Sequence, residues 1–149
     1  MSFVREDLFN ALWNALHGEA FFIQAVAGPR QVGKTTLVLD VIDRWQGSTL
    51  YETADQPAPP DVQWISAQWE KARAMAKGPG DGLLVLDEVQ KIPRWSEVVK
   101  KLWDEDRRKK RRLRVVLLGS SALLVQRGMT ESLAGRFELH RHSHWSFAE

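Results

Sequence analysis

The strongest chemical signal in this sequence is a run of eight residues that matches the pattern G-x-x-x-x-G-K-[ST]. Glycines in such a run let backbone N–H groups wrap a phosphate where a Cβ would intrude. A helix that begins near Gly33 points its N-terminal donors and positive dipole end at the same anion. We expect the Lys34 ammonium to reach the β- and γ-phosphates of a nucleotide, and the Thr35 hydroxyl to bind Mg²⁺. The predicted nucleotide-binding residues are Gly28, Pro29, Arg30, Gln31, Val32, Gly33, Lys34, Thr35 and, with no role assigned by the motif, Thr36.

A second signal is an apolar run, LLVL over residues 83–86, that ends on the two carboxylates of Asp87 and Glu88. In a buried parallel sheet, ligands bind at the carboxyl ends of the strands, so these acids would lie beside the phosphate loop. The pattern predicts that Asp87 holds the Mg²⁺ shell and that Glu88 orients and polarises water for attack on the γ-phosphate. An isolated strand of this kind often ends in a solvated turn, and the upstream phosphate loop is what favours a site.

Ser120 and Ser121 follow another mostly apolar run, LRVVLL over residues 113–118. A hydroxyl at that strand end would contact the γ-phosphate or the attacking water. The alternative is an N-cap of the following helix, which the sequence SSALL also fits. Both interpretations stay open, and each serine can take one of the two roles.

These signals lie in a chain that alternates helix-like and strand-like segments, which is typical of an α/β fold with a mostly parallel sheet. Asp61 is predicted to cap the third helix, and Ser96 or Pro93 to begin the fourth. The predicted helices cover residues 3–17, 33–45, 61–77 and 95–110, and the predicted strands cover 21–27, 48–52, 83–86, 113–118 and 137–144.

Length and composition exclude several classes of protein. The 149 residues suit one domain, and the 44% apolar and 27% charged residues are ordinary for a globular chain, not a disordered one. With no cysteine, neither a disulfide scaffold nor a thiolate metal site is possible. No run approaches the roughly 20 apolar residues of a membrane span, and Glu6 and Asp7 do not fit a secretory signal. We therefore expect a soluble, cytoplasmic protein without membrane contacts.

Two further features have competing interpretations. The basic run from Arg107 to Arg112 would suit nucleic-acid phosphates, but basic side chains also complement the C-terminal dipole of a helix, which is the favoured interpretation. Among the seven tryptophans, Trp64 and Trp69 are candidates for an exposed interface with another domain.

The segments GPRQVGKTTL, LVLDEVQKIPRW, VVLLGSSALL, ESLAGRFELH and WSFAE together resemble the AAA-type P-loop ATPases. They are most similar to a large prokaryotic group of predicted ATPases with an AAA domain at the N-terminus. The resemblance implies a P-loop NTPase three-layer sandwich, in which five mostly parallel strands have the order 5-1-4-3-2. It also divides residues 1–149 into an N-terminal helix (1–18) and an AAA-type nucleotide-binding core (19–149).

The same resemblance assigns site residues and partners. Lys34 and Thr35 fall on the Walker A positions, Asp87 and Glu88 on Walker B, and Ser120 on sensor 1. Arg136 falls near the arginine finger, which would act on a neighbouring subunit, and its alternative role is a structural ion pair with Glu131 or Glu138. Members of the group continue into a helical lid and a C-terminal domain. Since this chain ends at Glu149, we expect a fragment that lacks its lid, with a homo-oligomer or a C-terminal domain as partner.

Three functions compete on this evidence. The first is Mg²⁺-dependent ATP hydrolysis that drives or gates a partner, with ATP and ADP as ligands. The second is a nucleotide-dependent binding module, on DNA for instance, with little turnover. The third is a P-loop kinase for small molecules, which is disfavoured because Glu88 suits a water nucleophile and no arginine-rich lid segment is present.

Overall fold

The computed structural model describes residues 2–18, 22–28, 34–58, 60–76, 81–119 and 135–141. Within these ranges, no helix combines the length and the apolar character that a membrane crossing requires. The helices are α1 (Ser2–His17), α2 (Lys34–Arg44), α3 (Val62–Met75) and α4 (Trp95–Arg108), with a 3₁₀ turn at Val89–Lys91. The strands are β1 (Ile23–Ala27), β2 (Thr49–Thr53), β3 (Gly82–Asp87), β4 (Leu113–Gly119) and β5 (Phe137–Arg141).

The five strands form one parallel sheet in the order β2-β3-β4-β1-β5. This is the predicted order 5-1-4-3-2 counted from the opposite edge, so the predicted fold class is confirmed. The central strands β1 and β4 are buried along their whole length. Apart from Gln24 and Arg114, their sequences, IQAVA and LRVVLLG, are accordingly apolar on both faces rather than alternating, as a sheet covered on both sides requires.

Helices cover both faces of this sheet and complete three layers. On one face, Leu12 and Leu16 of α1 pack with α2 side chains against Val26, Val85 and other strand residues. On the other face, α3 and α4 bury a second cluster. The buried strand residues of that cluster are Ile23, Ala25, Ala27, Leu50, Leu84, Leu86, Leu113, Val115 and Leu117.

Most predicted element bounds lie close to the observed ones, and α4 shows why two of them differ. Neither Pro93 nor Ser96 is its N-cap, because Arg94 takes that position with a left-handed backbone and Ser96 is buried inside the first turn. The helix ends at Arg108 rather than at residue 110. Lys110 has a φ of 54°, and the bond from Arg111 N to the Asp106 carbonyl oxygen closes a Schellman turn there.

Two other predicted features have mixed outcomes. Asp61 is the N-cap of α3, as predicted, and its carboxylate accepts a hydrogen bond from Gln63 N at 3.0 Å. The fifth strand is confirmed over residues 137–141, while residues 142–144 lie outside the described residues, as does the helix predicted after Ser121.

A buried carboxylate joins α3 to α4 and explains why Trp69 is not an exposed interface residue. Trp69 is completely buried, and its indole N–H donates to Asp106 Oδ2 at 2.8 Å. Asp106, also without exposed surface, accepts from Arg73 Nε at 2.8 Å and from Arg111 Nη1 at 3.0 Å. The prediction for Trp69 was therefore wrong, because a tryptophan with a buried acceptor can enter the core. Trp64 is partly buried and packs against the cluster that α3 and α4 bury on their face of the sheet.

Asp106→Ala is expected to lower the free energy of unfolding by about 3–5 kcal/mol, because it leaves the nearly buried Arg73 without one of its carboxylate partners. Urea unfolding followed by tryptophan fluorescence measures this change. The matched control is Asp104→Ala on the same helix, whose carboxylate is about a third exposed and which should lose less than about 1 kcal/mol. Equal losses in the two variants would contradict a special role for the buried carboxylate.

Candidate active site

The carboxyl ends of β1, β3 and β4 meet at one edge of the sheet. Gly28 directly follows β1, and its N–H donates to the carbonyl oxygen of Gly119, the last residue of β4, at 3.2 Å. Glu88 directly follows β3, and its N–H donates to the Leu118 carbonyl oxygen at 2.7 Å. The first residue of the predicted phosphate loop and the second predicted acid are thus tied to the same end of β4.

Helix α2 begins at Lys34 and carries Thr35 and Thr36 in its first turn, after the segment that leaves β1. The strand, the glycine-rich segment and the helix therefore follow one another as the phosphate-loop pattern requires. Five of the predicted loop residues lie outside the described residues: Pro29, Arg30, Gln31, Val32 and Gly33.

Asp87 and Thr35 meet at a residue that the motifs do not include, Tyr51 of β2. The phenolic O–H donates to Asp87 Oδ2 at 2.6 Å, and the Thr35 side chain hydrogen-bonds the same hydroxyl group. Burial, and then the hydrogen bond to Asp87, raise the pKa of Tyr51 well above its usual range. The phenol thus stays protonated and remains a hydrogen-bond donor. The two predicted Mg²⁺ ligands, Asp87 and Thr35, therefore contact the same Tyr51 hydroxyl group.

Glu88 occupies a strained position at the point where the chain leaves β3. Its backbone is left-handed, with φ 58° and ψ 32°, which costs a residue other than glycine about 1–2 kcal/mol. Its carboxylate is buried, with 6% of the residue exposed, and accepts a hydrogen bond from Gln90 Nε2 at 2.5 Å. Strained residues of this kind cluster at functional sites, where the surrounding structure holds them in place.

Gln90 is the second residue that sequence reasoning missed. Its side chain is buried between Glu88 and the end of β4, and its Oε1 has no hydrogen-bond partner within the described part of the chain. A Cβ at position 119 would collide with that oxygen, so Gly119 leaves the space that Gln90 fills. The only sequence feature that could have marked Gln90 is its position two residues after Glu88, in the segment DEVQ.

Ser120 and Arg136 were also predicted to act in catalysis. Ser120 comes directly after Gly119 and is outside the described residues, so its role stays a prediction. Arg136 precedes β5, and its carbonyl oxygen accepts from Ile23 N at the start of β1. It therefore lies at the amino edge of the sheet, opposite Asp87. Its guanidinium donates hydrogen bonds to both carboxylate oxygens of Asp104, at 2.8 and 3.1 Å, and these bonds raise the pKa of Arg136.

Three of the six residues of the basic run, Arg107, Arg111 and Arg112, contact acceptors within the domain. Arg107 stacks over Trp103 and donates to the Arg111 carbonyl oxygen at 3.0 Å. Arg111 reaches the buried Asp106, and Arg112 pairs with Asp81. Arg107 and Arg108 lie in the last turn of α4, where the favoured interpretation of the run places basic side chains.

The sequence model of the family described as AAA domain matches residues 21–149 of the chain. The chain belongs to this family of AAA domains. It is thereby a nucleotide-binding ATPase domain of the P-loop type, as the resemblance implied. No curated protein matches the sequence.

Solved structures of two other proteins share the AAA domain's fold. The Orc1 protein of Aeropyrum pernix, in complex with DNA, gives a TM-score of 0.66 at 16% identity, covering 91% of this chain and 44% of that one. A DNA polymerase III gamma subunit-related protein of Thermotoga maritima gives 0.65 at 9% identity, covering 91% and 46%. The chain thus spans less than half the length of either protein.

Proposed function

We propose that this AAA domain binds ATP or ADP together with Mg²⁺ at the carboxyl edge of β1, β3 and β4, and hydrolyses ATP there. The observation that carries the proposal is the meeting of Thr35 and Asp87 at one hydroxyl group. These two residues lie far apart in sequence, yet α2 and β3 bring their oxygens to the same place beside the strand end at Gly28. This arrangement supports the proposal that the phosphate loop and the metal ligand belong to one site.

The residues at this edge fit a magnesium ion. Mg²⁺ prefers oxygen ligands and is usually held by one or two carboxylates together with substrate phosphates. Asp87 and Thr35 supply a carboxylate and a hydroxyl, and the described residues contain no cluster of three or more acidic, histidine or cysteine side chains that would hold an ion alone. When bound, the ion neutralises charge on the phosphates.

Glu88 is the proposed general base. It follows Asp87 directly, and its carboxylate is held in a buried position by Gln90, so that it can accept a proton from a water molecule at the strand end. Ser120, at the end of the neighbouring strand, is proposed to contact the γ-phosphate. Lys34 contributes positive charge at the phosphates, together with the N–H groups at the start of α2.

Hydrolysis is proposed to drive or gate a partner, either a C-terminal domain or further copies of the chain. The similar Orc1 protein is in complex with DNA. In this chain, however, Arg107, Arg111 and Arg112 already contact acceptors within the domain, so we assign these three arginines to the fold rather than to DNA.

Nucleotide binding is tested by thermal unfolding with ATP and Mg²⁺. At about a 100-fold excess of ligand over its Kd, binding should add about 2.7 kcal/mol of stability. For a domain of this size that corresponds to a rise in Tm of roughly 5–10 °C. Lys34→Ala should remove most of this rise, because the motif assigns the Lys34 ammonium to the β- and γ-phosphates.

Lys100→Ala, which removes an exposed lysine of α4 on the other face of the sheet, is the matched control and should keep the full rise. An equal rise in the wild type and in Lys34→Ala would show that nucleotide binds without this loop. No rise in the wild type would reject the binding site itself.

A further inference from the structure

Tyr51 lies on the edge strand β2, where the sheet register brings it near the proposed site. Thr53 pairs with Asp87 and Tyr51 with Val85 across the two parallel strands. Because successive side chains alternate between the faces, Tyr51, Val85 and Asp87 share one face of the sheet. That face is covered by α1 and α2, and Tyr51 packs against their cluster of buried side chains. Packing therefore fixes the Tyr51 ring, and its hydroxyl group lies beside Asp87 and Thr35.

The hydroxyl group makes two hydrogen bonds, and both partners are residues that the phosphate-loop and strand-end motifs single out. It donates to Asp87 Oδ2 at 2.6 Å, and it hydrogen-bonds the Thr35 side chain in the first turn of α2. A hydrogen bond to a carboxylate is among the stronger kinds, so it restricts the rotation of the Asp87 side chain. The phenol thereby couples the start of α2 to the end of β3.

We propose that Tyr51 is a positioning residue for the magnesium ion, orienting the Asp87 carboxylate and the Thr35 hydroxyl toward the nucleotide phosphates. The inference rests on the proposed function, because it concerns the ion of that same site. Phenylalanine would fill the same space in the packed layer, so packing alone does not call for the hydroxyl. Groups that orient metal ligands in this way typically change metal affinity by 10–100-fold when they are removed.

The test compares the Mg²⁺ dependence of ATP binding in the wild type and in Tyr51→Phe, by isothermal titration calorimetry at a series of Mg²⁺ concentrations and in EDTA. Tyr51→Phe should raise the Mg²⁺ concentration for half-maximal enhancement of binding by about 10–100-fold. ATP affinity in EDTA should not change, since the variant leaves the phosphate loop intact. Thr49→Val, which removes a hydroxyl from the opposite end of the same strand, is the matched control and should match the wild type.

A second variant checks that the effect passes through Asp87. Asp87→Asn should weaken the Mg²⁺ dependence, and adding Tyr51→Phe to it should bring little further change, because residues that act as a unit are not additive. If Tyr51→Phe acted through a loss of packing instead, its effect would add to the effect of Asp87→Asn.

The outcomes distinguish this inference from the proposed function. An unchanged Mg²⁺ dependence in Tyr51→Phe, with a Mg²⁺-dependent wild type, overturns the role of Tyr51 and leaves the site standing. Equal weakening in Mg²⁺ and in EDTA also overturns it, because the residue would then act on the nucleotide or the fold. A wild type that binds no ATP, or binds it without regard to Mg²⁺, overturns both.

Discussion

Replacing Glu88 by glutamine is expected to lower ATP turnover by about 10²–10⁴-fold while ATP affinity holds or rises. The amide keeps the size of the side chain and one oxygen acceptor, so Gln90 can still donate to it as it does to Glu88 Oε1. It cannot accept the proton of an attacking water or orient that water as a carboxylate does. Phosphate release at saturating ATP and Mg²⁺ measures turnover, and calorimetry measures binding.

Glu97→Gln, which changes an exposed acid in the first turn of α4, is the matched control and should keep wild-type turnover. Unchanged turnover in Glu88→Gln would contradict the assignment of the base. A wild type that binds ATP without releasing phosphate would reject hydrolysis by this chain and would favour the nucleotide-dependent binding module.

The features predicted correctly from the sequence depend on short segments. The strand at 113–118 was recognisable because helices on both faces require an apolar residue at nearly every position. The cap at Asp61 was recognisable because its acceptor bonds a backbone N–H two residues away. The strand order came from the family resemblance, and the structure confirms it.

The features that were missed depend on contacts between segments distant in sequence. Nothing near Tyr51 in the sequence marks it as a partner of Asp87, because that contact requires the register between β2 and β3. Trp69 was assigned to the surface for the same reason, since its partner Asp106 lies 37 positions along the chain. Gln90 acquires its position only after the left-handed turn at Glu88 directs it toward Gly119.

Arg136→Ala is expected to lower turnover by about 10³–10⁵-fold without weakening ATP binding, if the guanidinium completes the site of a neighbouring subunit. It cannot reach the site of its own subunit, because the length of β1, five residues at about 3.3 Å each, separates the two edges of the sheet. To act on a neighbouring subunit, the Arg136 guanidinium must first break its two hydrogen bonds to Asp104. Arginine is needed in this role because its planar fork contacts two phosphate oxygens, which lysine cannot copy.

The decisive measurement is specific activity against protein concentration, with mixtures of two inactive variants. Activity of the wild type should rise faster than linearly as subunits associate. Arg136→Ala mixed with Lys34→Ala should recover part of it, because each variant supplies what the other lacks. Asp104→Ala is the control, since it frees the arginine without removing it and should keep turnover. Three results together would show that the pair of Arg136 and Asp104 is purely structural. Specific activity would not change with protein concentration, mixing would restore none of it, and Arg136→Ala and Asp104→Ala would lose equal stability.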